Sequence, residues 1–284
     1  MLITRILKMP LKFASNISFM FKEAGDIHLR YAAAKKAGFE AVESAFPAGF
    51  TADEIQKAKE ASGMQQVLLN IFPGDSEDGA KGLAAIPGAE KKFRDSLEMS
   101  IQYCKSLHCK KLHIMSGVAT REAGADTYER NIRLAADRLS QEGIVGLIEP
   151  ISPQAVPGYF LNDYGYVRCR DRSFSPIGWH PTALDLVKRI DSESLRLQVD
   201  LFHLQNIAGN ITNNLKELLP YTGHVQLAQP PHRHEPGVPG ELDFGYVLPL
   251  LEQLGYSGWV GCEYVPSTSS EESLSWVRRL GYSL

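Results

Sequence analysis

Four oxygen-bearing side chains, each at or just after a short apolar run, are the strongest chemical signal in this sequence. They are Glu149 in LIEP, Asp200 in QVDLFH, Gln226 in HVQLAQ and Glu263 in GCEY. Three carboxylates that converge without a cation would repel one another, and at least one would have its pKa raised. Because all four offer oxygen ligands, the set favours a hard ion in octahedral geometry over zinc, which more often takes His or Cys. We therefore predict a divalent metal centre, with Mg²⁺ or Mn²⁺ as the ion.

A basic side chain lies close in sequence to this set. Arg233 stands in the segment PPHRHEPG, which follows the run that contains Gln226. A guanidinium can bind a carboxylate through two hydrogen bonds or stabilise a developing oxyanion. Arg233 is thus a candidate substrate-binding residue, and a surface ion pair with Glu235 or Glu241 is an equally open alternative.

Eight short apolar or β-branched runs alternate with stretches of helical spacing along the whole chain. The predicted strands cover residues 13–17, 39–44, 66–71, 111–116, 146–151, 197–202, 225–228 and 259–264. The predicted helices cover residues 27–37, 52–62, 90–106, 127–141, 181–190, 211–219, 244–254 and 271–280. This pattern predicts an α/β fold, a single (β/α)8 TIM barrel over residues 11–284 after an N-terminal tail of residues 1–10. A doubly wound open sheet is disfavoured, since no GxGxxG follows the first strand.

The carboxyl ends of the strands are where such a barrel builds its active site, and each predicted strand has one polar residue there. These residues are Asn16, Glu43, Asn70, His113, Glu149, Asp200, Gln226 and Glu263. Any one of them fits a satisfied hydrogen bond at the barrel mouth, and for His113 a hydrogen-bonded core position is the preferred interpretation. Burying all eight near one axis costs free energy unless they pair or bind a ligand. Long loops after strands three and five, at 72–89 and 152–180, lie on the same face and favour a role in substrate access.

Composition and charge exclude several classes of protein. Hydrophobic residues make up 44% and charged residues 22% of the 284 residues, a balance typical of soluble globular proteins. The net charge of −3 disfavours a nucleic-acid partner. No run approaches the roughly 20 apolar residues that span a bilayer, so we expect no membrane partner. Four scattered cysteines suit a reducing, cytoplasmic location, and assembly into a homo-oligomer stays open.

The motifs FASNISFMF, GFEAVE, LLNIFPGD, LIEPIS, VDLFHLQ with the following GNIT, HVQLAQPPHRHEPGVPGELDF and GWVGCEYVP occur in order along the chain. They resemble the hydroxypyruvate isomerase family of xylose-isomerase-like TIM barrels, from about residue 11 to the C-terminus. The resemblance implies metal and substrate at the barrel mouth. It also implies interconversion of hydroxypyruvate, a small hydroxy-oxo acid, with 2-hydroxy-3-oxopropanoate (tartronate semialdehyde).

Residue roles follow from the same resemblance. It places acid–base catalysis on Glu149 and Glu263. It places metal ligation on Asp200 and Gln226, and the pattern of oxygen ligands adds Glu149 and Glu263 to the predicted metal ligands. Arg233 and His203 match positions that hold substrate oxygens in related sugar epimerases and isomerases. Asn70 and His113, from the polar residues at the strand ends, complete the expected substrate-binding set.

The sequence departs from the family pattern at about residues 165–180, which include Arg168, Arg170 and Arg172. An ordered lid, a loose excursion and an unusual transcript product that impairs folding are all compatible with this segment. Three other functions stay open: a sugar or keto-acid epimerase or isomerase on the same fold, an endonuclease of the same superfamily, and a non-catalytic small-molecule-binding barrel. The epimerases typically have a His where this chain has Gln226, and an endonuclease would need a basic groove.

Overall fold

The computed structural model describes residues 10–75, 81–165 and 182–284, which form a closed barrel of eight parallel strands. The strands are β1 (Lys12–Asn16), β2 (Ala41–Ser44), β3 (Gln65–Asn70), β4 (Lys111–His113), β5 (Val145–Ile148), β6 (Leu195–Asp200), β7 (Thr222–Leu227) and β8 (Trp259–Cys262). They pair in chain order, and β1 closes the barrel against β8. The predicted (β/α)8 barrel is confirmed.

Helices connect the strands and cover the outside of the barrel. Those in the described residues are α1 (Ile27–Lys36), α2 (Ala52–Ser62), α3 (Glu90–Ser106), α4 (Arg121–Ser140), α5 (Ala183–Ile190), α6 (Leu201–Ile207), α7 (Ile211–Leu218), α8 (Phe244–Gln253) and α9 (Ser275–Arg279). The start of α2 shows how local sequence sets a boundary, because Thr51 and Glu54 form reciprocal side-chain to backbone hydrogen bonds. Gly63 ends the same helix in the left-handed conformation.

One helix, α6, was not predicted. The predicted sixth strand at 197–202 ends at Asp200, whose Oδ1 accepts a hydrogen bond from the Phe202 backbone N at 2.8 Å. This bond caps a helix that starts without an intervening turn. The prediction of strand beyond Asp200 was therefore wrong, and the helix places His203 Nε2 3.6 Å from Asp200 Oδ2.

Strand register brings the predicted polar residues to a common level. Asn16 lies beside Glu43, Asn70 beside His113, and Asp200 beside Gln226. Because side chains alternate along a strand, the residue two positions before each of these polar residues points to the same side of the sheet. Ala14 and Ala41, which lie two residues before Asn16 and Glu43, form a separate apolar cluster with Val67.

The segments that follow β4 and β5 pack against each other on the same face of the barrel. Val118 forms an isolated bridge with Tyr159, whose hydroxyl accepts a hydrogen bond from the Ser116 backbone N at 2.9 Å. Apart from Pro10 and Gly165, the predicted tail at 1–10 and the insertion at 165–180 lie outside the described residues. None of the helices described is long and apolar enough to cross a membrane.

Candidate active site

The four oxygen-bearing side chains predicted as metal ligands are all buried at the barrel mouth. Glu149 directly follows β5 and Glu263 directly follows β8, while Asp200 ends β6 and Gln226 lies in β7. The closed barrel therefore brings together side chains that are far apart in the sequence.

A group of three side chains is arranged to hold a metal ion. One ligand atom each from Glu149, Asp200 and His203 lie within 4.8 Å of one another. His203 Nε2 is 3.6 Å from Asp200 Oδ2 and 3.9 Å from Glu149 Oε1. Glu149 Oε1 is buried and has no hydrogen-bond partner among the described residues, as a vacant ligand atom would. The residues present therefore fit a divalent cation.

This group overlaps the predicted ligand set without matching it. Glu149 and Asp200 belong to both, whereas His203 was expected to bind substrate. The Gln226 amide is engaged elsewhere, since its Nε2 donates to Glu43 Oε1 and its Oε1 accepts from Gln198 Nε2, both at 2.6 Å. Ligation by Gln226 and Glu263 stays a prediction.

Arg233 is the cation that faces the carboxylates. Its Nη2 donates to Asp200 Oδ2 at 3.2 Å and also to Glu263 Oε2. Its guanidinium carbon lies 4.7 Å from the ring centre of Phe19 and 5.1 Å from that of Phe202. The two aromatic rings and the two carboxylates hold the guanidinium at the mouth.

The alternative of a surface ion pair for Arg233 is wrong. Glu235 accepts hydrogen bonds from the Ser267 backbone N and hydroxyl, and Glu241 accepts one from Gln205 Nε2 at 3.3 Å. Arg233 Nε is buried without a hydrogen-bond partner in the described part of the chain. That donor is therefore free for a ligand.

His113 and Asn70 lie at the edge of the same cluster. His113 Nδ1 is 3.3 Å from Asn70 Oδ1, and its Nε2 is 3.5 Å from Glu149 Oε2. Burial, with a smaller contribution from His224, lowers the pKa of His113 to about 3. The ring is therefore neutral and hydrogen-bonded, as preferred from the sequence, and it also contacts a proposed catalytic residue.

The acidic groups have raised pKa values, and burial is the main cause for each. Burial lifts the pKa of Glu149 well above its ordinary range, and the negative charges of Glu263 and Asp200 add to the effect. Burial raises the pKa of Glu263 to about 8 although Arg233 opposes the shift. The pKa of Asp200 is also raised by burial, again against Arg233. One arginine does not balance three buried carboxylates, so the cluster favours a proton or an added cation.

His203 has a suitable second partner for a metal ligand. Its Nδ1 lies 3.1 Å from Ser152 Oγ and accepts from the Ser152 backbone N at 3.3 Å. Burial, with contributions from Arg233 and His113, lowers the pKa of His203 well below its ordinary value. Ligation by Nε2 requires the other tautomer, in which Nδ1 carries the proton and donates to Ser152 Oγ and no longer accepts from the Ser152 backbone N.

Sequence reasoning noted Asn16 and Glu43 at strand ends without giving them a role, and it missed several other neighbours of the site. The missed residues are Gln198, His224, Ser152, Phe19 and Phe202. Two of them were detectable, because Gln198 and His224 lie two residues before Asp200 and Gln226 and so share their face.

Comparisons with known proteins agree with this geometry. The model of the xylose isomerase-like TIM barrel family matches residues 31–280, so the chain belongs to that family. "Hydroxypyruvate isomerase" of Escherichia coli is 33% identical over 271 residues, which cover 94% of this chain and 98% of that protein. "2-oxo-tetronate isomerase" of Cupriavidus necator is 36% identical over 273 residues, covering 94% and 97%.

A solved structure shows the same fold. The crystal structure of "AP endonuclease, family 2" from Brucella melitensis superposes with a TM-score of 0.85 at 38% identity and covers 95% of this chain and 99% of that chain. The resemblance to the hydroxypyruvate isomerase family is confirmed, and the chain is an isomerase of this family.

Proposed function

We propose that this enzyme interconverts hydroxypyruvate and 2-hydroxy-3-oxopropanoate with the assistance of a divalent metal. The observation that carries the proposal is the pair of buried glutamates, Glu149 and Glu263, on either side of Asp200 in the order of the barrel strands. The names of its relatives in Escherichia coli and Cupriavidus necator support the reaction class.

The reaction moves a carbonyl group by one carbon. Hydroxypyruvate has a ketone at C2 and a hydroxyl group at C3. Removing a proton from C3 gives an enediolate, and adding a proton at C2 while the O3 hydroxyl proton passes to O2 gives the aldehyde. Atoms and electrons balance within the substrate, so no external oxidant or reductant is consumed.

Proton transfer is the role of the two glutamates. One of Glu149 and Glu263 takes the proton from C3, and the other, or the same one, returns a proton at C2. Carboxyl groups with pKa values raised by burial can exchange protons near neutral pH.

Arg233 binds the substrate carboxylate in this proposal. Its Nη2 is held by Asp200 and Glu263, while its Nε has no hydrogen-bond partner among the residues described. A substrate carboxylate at Nε would keep the reacting carbons next to the carboxyl groups that Arg233 already contacts. His113 and Asn70 are the other proposed contacts of the substrate.

Glu149, Asp200 and His203 would hold the metal, with Gln226 and Glu263 as the further predicted ligands. The ion, for which we propose Mg²⁺ or Mn²⁺, would supply Lewis-acid stabilisation of the negative charge that develops on oxygen. His203 would then act as a ligand and not as a substrate contact.

The test is isomerisation by the purified, EDTA-treated protein before and after Mg²⁺ or Mn²⁺ is added back. Conversion is followed by proton NMR with three substrates, namely hydroxypyruvate, 2-oxo-tetronate and a ketose that an epimerase would accept. The matched variants are Glu263→Gln and Glu193→Gln, the second at an exposed residue just before β6.

Metal-dependent turnover of hydroxypyruvate that is lost only in Glu263→Gln is the expected result. Faster turnover of 2-oxo-tetronate would assign a four-carbon substrate, and epimerisation of the ketose would assign the epimerase alternative. Nicking of DNA with an abasic site, without turnover of any keto acid, would replace the proposal with the endonuclease activity for which the Brucella melitensis protein is named.

A further inference from the structure

A hydrogen-bonded network of buried side chains adjoins the proposed catalytic glutamates, and Glu43 is its centre. Glu43 is fully buried at the end of β2. Its Oε1 accepts from Asn16 Nδ2 at 2.9 Å and from Gln226 Nε2 at 2.6 Å. Its Oε2 is 2.5 Å from His224 Nε2. Side chains from two other strands, β1 and β7, thus donate hydrogen bonds to the carboxylate of Glu43.

One branch of the network leads to Glu263. Asn16 Nδ2 donates to Glu263 Oε1 at 2.9 Å, in addition to its bond with Glu43. Both hydrogens of this amide are therefore shared between two carboxylates. Asn16 Oδ1 faces away and accepts from the Ser18 backbone N at 3.1 Å.

The second branch leads to Glu149 through two amides. Gln198 Nε2 donates to Gln226 Oε1 at 2.6 Å and to Glu149 Oε2 at 2.9 Å. The network therefore runs without a break from one proposed catalytic glutamate to the other, with Glu43 in the middle.

The chemistry of these groups makes the orientation of each amide depend on Glu43. An ionised carboxylate only accepts hydrogen bonds, whereas an amide donates from nitrogen and accepts at oxygen. The Gln226 amide must turn its nitrogen to Glu43, so its oxygen faces Gln198. Gln198 must then turn its nitrogen to Gln226 and Glu149, which leaves the buried Gln198 Oε1 without a partner in the described residues. An unpaired buried oxygen is unfavourable by itself, so the rest of the network imposes it.

The fold makes room for Glu43 at one strand position. A Cβ atom at Gly261 would lie 2.1 Å from Glu43 Oε2, too close for any side chain. Gly261 is in β8, two residues before Glu263, so a side chain at this position would point to the same side of the sheet as Glu263. The carboxylate of Glu43 occupies the place where a side chain from β8 would lie.

We propose that Glu43 is a positioning residue for the isomerisation: by accepting from Asn16 and Gln226 it orients the amides that hold Glu263 and Glu149. This inference rests on the proposed function. It concerns how the two glutamates are held, and it gives Glu43 no contact with the substrate.

The test compares Glu43→Met, which removes the acceptor at similar volume, with Glu43→Gln, which keeps one oxygen. In Glu43→Gln the retained oxygen can still accept from Asn16 and Gln226. The new NH₂ group can donate to His224 Nε2, because His224 Nδ1 has no partner among the described residues and can carry the ring proton. We expect Glu43→Met to lower kcat by about 100-fold, the size of effect that misplaced catalytic groups produce. KM should change by less than about threefold, and Glu43→Gln should recover most of kcat.

Gln66→Met is the matched control. Gln66 is a buried side chain on β3 with three hydrogen-bond partners, Tyr31, Ser44 and Leu68, and it lies outside the network around Glu43. The Gln66→Met substitution should lower the melting temperature, while kcat stays within about twofold of the wild-type value. Equal losses of kcat in Glu43→Met and Gln66→Met, or no recovery in Glu43→Gln, would overturn the proposal.

A second measurement separates failure of this inference from failure of the proposed function. Side-chain NH₂ signals of Asn16, Gln198 and Gln226 in a ¹⁵N-labelled protein report their hydrogen bonds without any turnover. They should shift in Glu43→Met and in Gly261→Ala, which displaces the carboxylate, and stay near wild type in Glu43→Gln. Unshifted signals in both Glu43→Met and Gly261→Ala would reject the role of Glu43 even if hydroxypyruvate is isomerised. Shifted signals in an enzyme inactive on hydroxypyruvate would reject only the substrate.

Discussion

The two proposed catalytic glutamates stand at equivalent places in the barrel but in different surroundings. Glu149 follows β5 and faces two buried histidines, His113 and His203, and an amide. Glu263 follows β8 and faces the guanidinium of Arg233 and the amide of Asn16. Both pKa values are raised by burial, and only for Glu263 is the guanidinium a direct hydrogen-bond donor that opposes the shift.

This difference shows how one residue type at symmetric positions can serve two purposes. Different environments separate the protonation behaviour of paired carboxyl groups, and such separation is how acid–base sites divide their work. Glu149 lies on the proposed metal-binding side with Asp200 and His203, whereas Glu263 lies on the side proposed to bind the substrate carboxylate. Substitutions at either glutamate, or at the groups around Glu263, test this division.

The largest effect is expected from removing either carboxylate. Glu149→Gln and Glu263→Gln should each lower kcat by about 10³-fold, because a neutral amide cannot transfer the proton. Glu149→Gln should also weaken Mn²⁺ binding, measured by calorimetry, because Glu149 belongs to the proposed metal-binding group with Asp200 and His203. A comparable weakening in Glu263→Gln would add Glu263 to the ligands, as the sequence predicts. Near-normal turnover in both variants would remove the glutamates from the mechanism.

A smaller effect is expected from Arg233→Ala. KM for hydroxypyruvate should rise more than about tenfold, the value of a lost hydrogen bond between charged groups. Since Arg233 lowers the pKa of Glu263, its removal should also move the ionisation of Glu263 in the pH–rate profile to higher pH. Arg233→Lys keeps the charge without the planar guanidinium, so its KM for hydroxypyruvate should lie between the values of the wild type and of Arg233→Ala. An unchanged KM in Arg233→Ala would exclude it as the carboxylate-binding residue.

Stability of the metal-free protein should depend on pH in the direction set by these carboxyl groups. The pKa of Glu263 is about 8 in the folded protein against an ordinary value of 4.5, so the folded state binds more protons between these values. The free energy of unfolding should therefore fall as pH rises through this window, by at most about 1.4 kcal/mol per pH unit for one group. Urea unfolding of EDTA-treated protein at several pH values measures the slope. Glu263→Gln should flatten it, and an identical slope in the variant would contradict the shift.

The smallest effect is expected from Phe19→Leu, which removes one aromatic ring from Arg233. A cation–π contact of this kind contributes about 0.5–1 kcal/mol at a partly exposed site, so KM should rise by about two- to fivefold. Phe202→Leu is the matched variant at the other ring. A larger loss in Phe19→Leu than in Arg233→Ala would show that Phe19 acts on the substrate directly.

The sequence was sufficient for the barrel and for the positions of its polar residues, because both follow from periodicity. Glu149 and Asp200 fall where the pattern predicts, since a strand end fixes the place of the next side chain. His203 was assigned to the substrate from the family resemblance, because the sequence does not show that α6 begins directly after β6 and brings the His203 ring within 3.6 Å of Asp200. The hydrogen-bond partners of Arg233 could not be predicted from the sequence either. They depend on the conformation of a loop in which Arg233 itself has a positive φ of 58°.

The pairing of β1 with β8 has a consequence for how this enzyme becomes active. Asn16 and Glu263 are 247 residues apart in the sequence, yet they share a hydrogen bond across the seam where the barrel closes. Contacts of such long sequence separation form late, because the loop entropy must be lost before the contact stabilises anything. Helices can form locally while this seam is open, but the hydrogen bond between Asn16 and Glu263 cannot form until it closes. Recovery of turnover after refolding should therefore trail recovery of the helical circular dichroism signal, which makes catalysis a reporter of the last folding step.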